Sequence, residues 1–369
     1  MKFKVLQENL KTALTSLQKA IPSKPQLPIL SSVYLQVKGN QLTLAATDLY
    51  LGIKSTIPAI VEETGECVVP GEIFKSLIFS FSAGDVEFIQ SDTSILVKYE
   101  KSKSTLPYQS AEEYPQFPEV NGETFTLSKD LLQKVDTYIS FAAAQDQTRP
   151  VLTSLLFSFQ DKKLEIAATD GYRLAALSYE GEVPNLNKNF LIPVKALNEV
   201  FRMMNQVEQE KVAFRVAEEL KQVLFMIDGI EIYVRLIEGE YPPYKKIIPE
   251  EFAIEIKTDF GEFQTQIKRA FLFAKDSSNI VKLELDKDIL RFKANSPATG
   301  DYQGEMIVKY SGESQEIAFN AVYLMDFLNK KKEGELIFKM NESLKPAAFQ
   351  IPDEPNFLYV IMPFRTTSS

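Results

Sequence analysis

The chain has 369 residues, 45% hydrophobic and 25% charged, with 41 Lys/Arg against 50 Asp/Glu and a formal net charge of −9. That length exceeds what one hydrophobic core usually serves and predicts two or three globular domains. The acidic balance argues against a simple nonspecific polyanion binder, and the absence of histidine removes the usual near-neutral acid–base and the commonest metal ligand.

At the start, "MKFKVLQENL" has no apolar h-region, and no run approaches the roughly 18 apolar residues of a membrane span. A cytoplasmic protein without membrane contact is expected. Leu10, Ala13, Leu14 and Leu17 then recur at helical spacing after a short strand. From Leu27, "LPILSSVYLQVKGNQLTLAATDLY" reads as paired strands, and "GECVVP" as a strand whose Cys67, the one cysteine, is a structural thiol in a reducing compartment. "VVPGEIFKSLIFSF" runs from strand to helix, "ILVKYE" alternates as a strand, and "AEEYPQFPEV" around Tyr114 is a proline-rich exit.

The same order then recurs. "RPVLTSLLFSFQDKKLEIAATDGY" from Arg149 aligns without a gap at an offset of 122, with 8 of 21 positions identical between Pro28–Asp48 and Pro150–Asp170. Ahead of it, Leu131, Leu132, Val135 and Ile139 repeat the helical stripe. Behind it come "LIPVKALNEVFRMM", "EIYVRLI" and a second exit, "GEYPPYKKIIPEE", around Tyr241. A third copy opens with Thr258 and Asp259 as helix cap. It places Leu290 where Leu42 and Leu164 stood, over a connection about four residues shorter, and ends in "IAFNAVYLMDFLNK" and "LYVIMPF". Three similar α+β domains are expected, at 1–121, 122–249 and 250–369, each with two helices packed on antiparallel sheets. Such quasi-symmetry is often completed by oligomerisation.

Taking the helices as residues 7–24, 71–80, 129–149, 194–204, 257–276 and 321–333, they hold 16 Lys/Arg and 11 Asp/Glu, a balance of +5, against −14 elsewhere. Lys11, Lys19, Lys24, Lys134, Arg149, Lys195, Arg202, Lys268, Arg269 and Lys330–Lys332 contribute. This points to helices facing a polyanion and strands facing outward, although any single cation also reads as a solvated helix face.

The chain resembles the bacterial β sliding clamp family, the processivity subunit of DNA polymerase III. The resemblance rests on "MKFKV", "LPILSSV", the paired "AATD" motifs, "ATDGYRLA", "YPPYKKIIP" and "YVIMPFR", in that order on a threefold repeat, and covers essentially the whole chain. It implies the DNA clamp fold and a head-to-tail homodimer closed into a six-domain ring, with duplex DNA passing through a helix-lined hole. Binding of that kind is topological and independent of sequence, so weak phosphate contacts suffice.

The resemblance also implies a groove that receives linear peptides from the polymerase III catalytic subunit, the clamp loader, other polymerases and repair proteins. Carried over, the groove comprises Leu152, Thr169, Gly171, Tyr172, Arg173 and Leu174, then Pro242 and Ile247, then Val360, Met362, Pro363, Phe364 and Arg365. Apolar anchors would enter it, methionine would adapt to varied partners, and arginine or backbone groups would fix direction. The family often has histidine at Tyr172 and a second methionine at Phe364, so a bulkier aromatic floor is expected to shift peptide preference. The tail "TTSS" runs four residues past Arg365 and is expected to be disordered near the groove. Lys24, Gln145 and Arg149 fall at or near positions that touch the duplex in relatives, and Lys195 and Arg202 join them as cations of the helical layer. Leu272 and Phe273 match apolar positions of the dimer contact, with ordinary core packing as the other reading.

Locally, Asp170-Gly171 between two β-prone runs is first of all a hairpin turn. Asp48 and Asp170 could alternatively form a hydrolase carboxylate pair with Tyr172 or Lys54, but they occupy equivalent turns of separate repeats, which predicts that they are far apart. The sequence is therefore taken to carry no catalytic residues, no metal and no cofactor. A monomeric protein-binding scaffold without DNA is the third reading, and oligomeric state discriminates it.

Overall fold

Six α-helices among the described residues occupy the predicted places, and each turns its apolar stripe inward. The structure, a computed structural model, describes residues 1–275 and 278–365; the "TTSS" tail lies outside the described residues. Helix α1 (Gln7–Leu17) buries Leu10, Ala13, Leu14 and Leu17, where each leucine withdrawn from water contributes about 1.5–3 kcal/mol. Helix α2 spans Gly71–Phe79, α3 Lys129–Tyr138, α4 Val194–Met204, α5 Phe260–Ala274 and α6 Ala321–Leu328. Of the two expected caps on α5, Asp259 serves, its Oδ1 accepting the Glu262 N–H at 2.7 Å. From helix start to the next strand is 25 residues in the first two repeats and 20 in the third. Leu42, Leu164 and Leu290 are all buried, as their equivalence requires. No helix among the described residues is long and apolar enough to cross a membrane. Cys67 is buried in Gly65–Pro70, and burial pushes its thiol up to about 12, which leaves it unreactive.

Three helices end sooner than the charge pattern suggested, α6 among them, since Lys330–Lys332 lie past its end at Leu328. Helix α1 gives way to a 3-10 turn at Gln18–Ala20, and α3 ends before a 3-10 turn at Ser140–Ala142. Lys24, Gln145 and Arg149 therefore stand in the connections after the helices. The six helices themselves hold 8 Lys/Arg and 7 Asp/Glu. The basic excess sits just past helix C-termini, where cations complement the macrodipole.

The chain resolves into two compact units, the first formed by residues 1–129 and 195–236, the second by 130–194 and 237–369, so the second repeat is divided between them. Strand pairing explains the division. In the first unit an eight-stranded antiparallel sheet joins Leu51–Pro58 of the first repeat to Ile230–Arg235 of the second, with Gly52 opposite Tyr233 and Ile53 opposite Ile232. In the second unit a nine-stranded sheet joins Arg173–Tyr179 of the second repeat to Phe357–Ile361 of the third, with Leu174 opposite Val360. Each unit also holds one smaller sheet. The first unit's has five strands and ends at Ser102–Pro107, while the second unit's has four and ends at Gly300–Ile307.

Candidate functional site

The segment Thr169–Leu174 is a turn built by its own polar side chains. Asp170 Oδ1 accepts the N–H groups of Tyr172 and Arg173 at 2.9 and 3.1 Å, and Thr169 Oγ1 accepts that of Gly171 at 3.0 Å while donating to Arg173 O at 2.6 Å. The first repeat makes the same turn. Asp48 Oδ1 takes the N–H groups of Tyr50 and Leu51, and Thr47 Oγ1 that of Leu49. Each aspartate thus commits its Oδ1 to backbone donors of its own turn, and the hydrolase reading gains no support. Left-handed φ recurs as well, at +93° for Gly171 and +77° for Leu49, so the first repeat tolerates a strained leucine where the second has glycine.

Arg173 goes further than sequence position suggests. Only 7% exposed, it donates Nε to Asp170 at 3.0 Å, Nη1 to Asp326 at 2.6 Å and Nη2 to the Phe141 carbonyl at 3.0 Å, and its guanidinium lies 4.8 Å from the Tyr323 ring centroid. With the planar fork so occupied, it ties the turn to α6.

Around this turn the second unit presents a cluster of apolar side chains. It includes Leu174, Val360, Leu156, Leu191 and Tyr244, all buried, with Val151, Tyr241 and Ile248 half-buried against them. Exposed apolar side chains stand about it: Tyr172 at 60%, Ile247 at 41%, Met362 at 39% and Phe364 at 43%. The C-terminal segment is fixed through its backbone, Met362 N–H donating to Tyr172 O at 2.8 Å and Phe364 N–H to Ala318 O at 2.7 Å. Tyr241 OH accepts the Thr169 N–H at 3.0 Å, and burial raises its pKa, keeping the phenol neutral. Leu152 is buried in the 3-10 turn Pro150–Thr153, Pro242 and Arg365 are exposed, and Pro363 is half-buried.

Sequence reasoning missed Tyr323 and Asp326, which hold Arg173 from α6. Their i, i+3 spacing, which puts an aromatic and an acid on one helix face, was the available signal.

Glycine at 171 suits its left-handed φ, and a Cβ there would stand 2.9 Å from Arg149 Nη2, so that the guanidinium would have to shift aside. Arg149 in turn donates to Asp170 O at 3.1 Å. Gly171→Ala is expected to lower stability by about 1–2 kcal/mol and to release Arg149, measured by urea unfolding and by the Arg149 side-chain NMR resonance.

The proposed duplex-facing cations divide between the units, with Lys24, Lys195 and Arg202 in the first, Gln145 and Arg149 in the second. Lys24, Gln145, Arg149 and Lys195 are exposed. Arg202 is half-buried, its Nε held by Glu199 at 2.8 Å and its Nη2 3.5 Å from Ser16 O, so its charge is largely neutralised locally. Leu272 is 63% exposed on α5, unlike a core residue, whereas Phe273 is half-buried and stacks on Tyr302 at 5.9 Å.

Comparison with known proteins covers nearly the whole chain. Residues 1–118, 126–243 and 245–365 match the N-terminal, central and C-terminal domains of the DNA polymerase III beta subunit. A beta sliding clamp from Staphylococcus aureus is 30% identical over 378 residues, spanning 99% of this chain and 100% of that protein. The crystal structure of the DNA polymerase sliding clamp from Bacillus subtilis superposes with a TM-score of 0.94 at 26% identity, covering 100% of both chains. A Pseudomonas aeruginosa sliding clamp bound to griselimycin superposes with a TM-score of 0.90 at 26% identity, over 99% of this chain and 100% of that one.

Proposed function

Because this chain belongs to the DNA polymerase III beta-subunit family of sliding clamps, we propose that it works in the cytoplasm as a head-to-tail homodimeric ring. The ring encircles duplex DNA and holds polymerases on it, without catalysing a reaction itself. The two unfinished sheets carry this reading. Within the chain, each large sheet forms where the last strand of one repeat's meander, Ile230–Arg235 or Phe357–Ile361, pairs antiparallel with the fourth strand of the preceding repeat, Leu51–Pro58 or Arg173–Tyr179. By the same order Ser102–Pro107 and Gly300–Ile307 are the two remaining partners, and both end their sheets unpaired within the chain. Two copies joined head to tail complete two further nine-stranded sheets by pairing these two edges.

The three domains of this reading are 1–121, 122–249 and 250–369. Exposed Lys24, Arg149 and Lys195, with Gln145, contact phosphates weakly, and Arg202 contributes least because Glu199 already neutralises it. Weak contacts suit a topological link that must slide. The test is retention. Loaded onto nicked circular duplex by a cognate ATP-hydrolysing loader, the protein is expected to stay on circles at moderate salt and to leave once the circle is linearised. Loss that follows salt and ignores DNA ends overturns the ring.

The apolar surface around Tyr172 is the docking groove for linear peptides of the polymerase III catalytic subunit, the clamp loader, other polymerases and repair proteins. Its buried floor and exposed aromatic and thioether rim suit an extended peptide with apolar anchors. Met362→Ala combined with Phe364→Ala is expected to weaken such a peptide about 30- to 100-fold, read by fluorescence anisotropy, while the dimer persists in sedimentation.

A further inference from the structure

The first unit carries a second pocket, outside the groove just described. Its turn repeats the groove turn position for position, but Gly52 stands where the second unit has Leu174. The Phe117 ring uses that space, since a Cβ at Gly52 would lie 2.7 Å from Phe117 Cε1. Phe117 meets Tyr233 edge-on at 5.1 Å, and with Leu49, Tyr50, Pro115 and Gln222 they wall a half-open cavity of about 90 Å³. None of the lining side chains is charged. Gln222 supplies the distinguishing feature. Its Oε1 is the buried side-chain polar atom that, among the described residues, no hydrogen-bond partner reaches, an expensive arrangement for a folded protein.

We propose that this pocket binds a partner peptide through one aromatic side chain bearing a donor, an indole or a phenol, whose N–H or O–H donates to Gln222 Oε1 once the amide, enclosed in the free protein, turns toward the cavity. The reasoning is complementarity. Aromatic and proline walls require an apolar ring, the single orphan acceptor requires a single donor, and the lack of wall charge disfavours ionic ligands. Tyr50, 60% exposed, extends the apolar surface at the mouth for residues flanking the anchor.

The chain contains no tryptophan, so indole fluorescence is a clean reporter. N-acetyl-tryptophanamide titrated into the full-length protein is expected to bind saturably, and about tenfold more weakly after Gln222→Met or when the probe is methylated at the indole nitrogen. Tyr50→Ala, a change at an exposed turn, should also weaken it, and guards against misfolding of the Gln222 variant. The Met362→Ala, Phe364→Ala pair should leave it unchanged. The proposal is overturned by absence of saturable binding, by equal binding of the methylated probe, or by loss confined to the Met362 and Phe364 pair.

Discussion

Ile307→Asp combined with Leu272→Asp leaves the protein a folded monomer of 41.8 kDa. Ile307 ends the unpaired strand Gly300–Ile307 and is 83% exposed, and Leu272 on α5 is 63% exposed, so neither change removes core packing within the chain. In the proposed ring both side chains would face the partner copy, where two carboxylates would be desolvated without counter-charges. Dimer dissociation is expected to strengthen at least about 1,000-fold, roughly 4 kcal/mol, read by analytical ultracentrifugation across dilution. Retention on closed circular DNA should vanish with it, while groove-peptide affinity stays at the wild-type value. A variant that remains dimeric would move the interface elsewhere. A wild-type protein that is monomeric at all concentrations would favour the scaffold reading.

Arg173→Met is expected to cost about 3–4 kcal/mol of stability, because it strands two aspartates that the guanidinium now pairs and frees the Phe141 carbonyl. Asp326 is 39% exposed at its side chain and Asp170 only 16%, so water recovers more of the first loss than of the second. Arg173→Lys should restore little, since one ammonium cannot reproduce three donors in a plane. Urea unfolding measures the loss, and hydrogen exchange should localise it to Arg173–Tyr179 and α6. Groove-peptide binding should fall with it, since the turn carrying Tyr172 is anchored by this residue. A stable Arg173→Met protein would show that the network is ornamental.

The segments of the proposed groove could be read in the sequence. Gly171, Leu174, Val360 and Met362 were assigned to it by resemblance, and in the structure the Arg173–Ile361 register lays their two strands side by side, Leu174 opposite Val360. The role of Arg173 was less legible. A guanidinium in a groove motif looks like a ligand-reading group, but its partners Asp326 and Tyr323 lie some 150 residues away in sequence, and only packing of α6 makes it a tie. Lys24, Gln145 and Arg149 shifted from helix to connection because capping and 3-10 turns, which carry no periodic signal, decide where a helix stops.

The sequence by itself determined the threefold repeat, the inward faces of the first helices of the first two repeats and the strand alternation, because periods of 3.6 and 2 are local and any core must respect them. It also determined the Asp-capped turns, whose donors and acceptors lie within four residues of one another. Tertiary structure alone decided that repeats share sheets, so that two compact units cut across three domains and two half-sheets are left open. The reason is that strand edges offer the same N–H and C=O groups whatever their side chains. The choice of partner is therefore made by the packing of whole repeats, which no local pattern encodes.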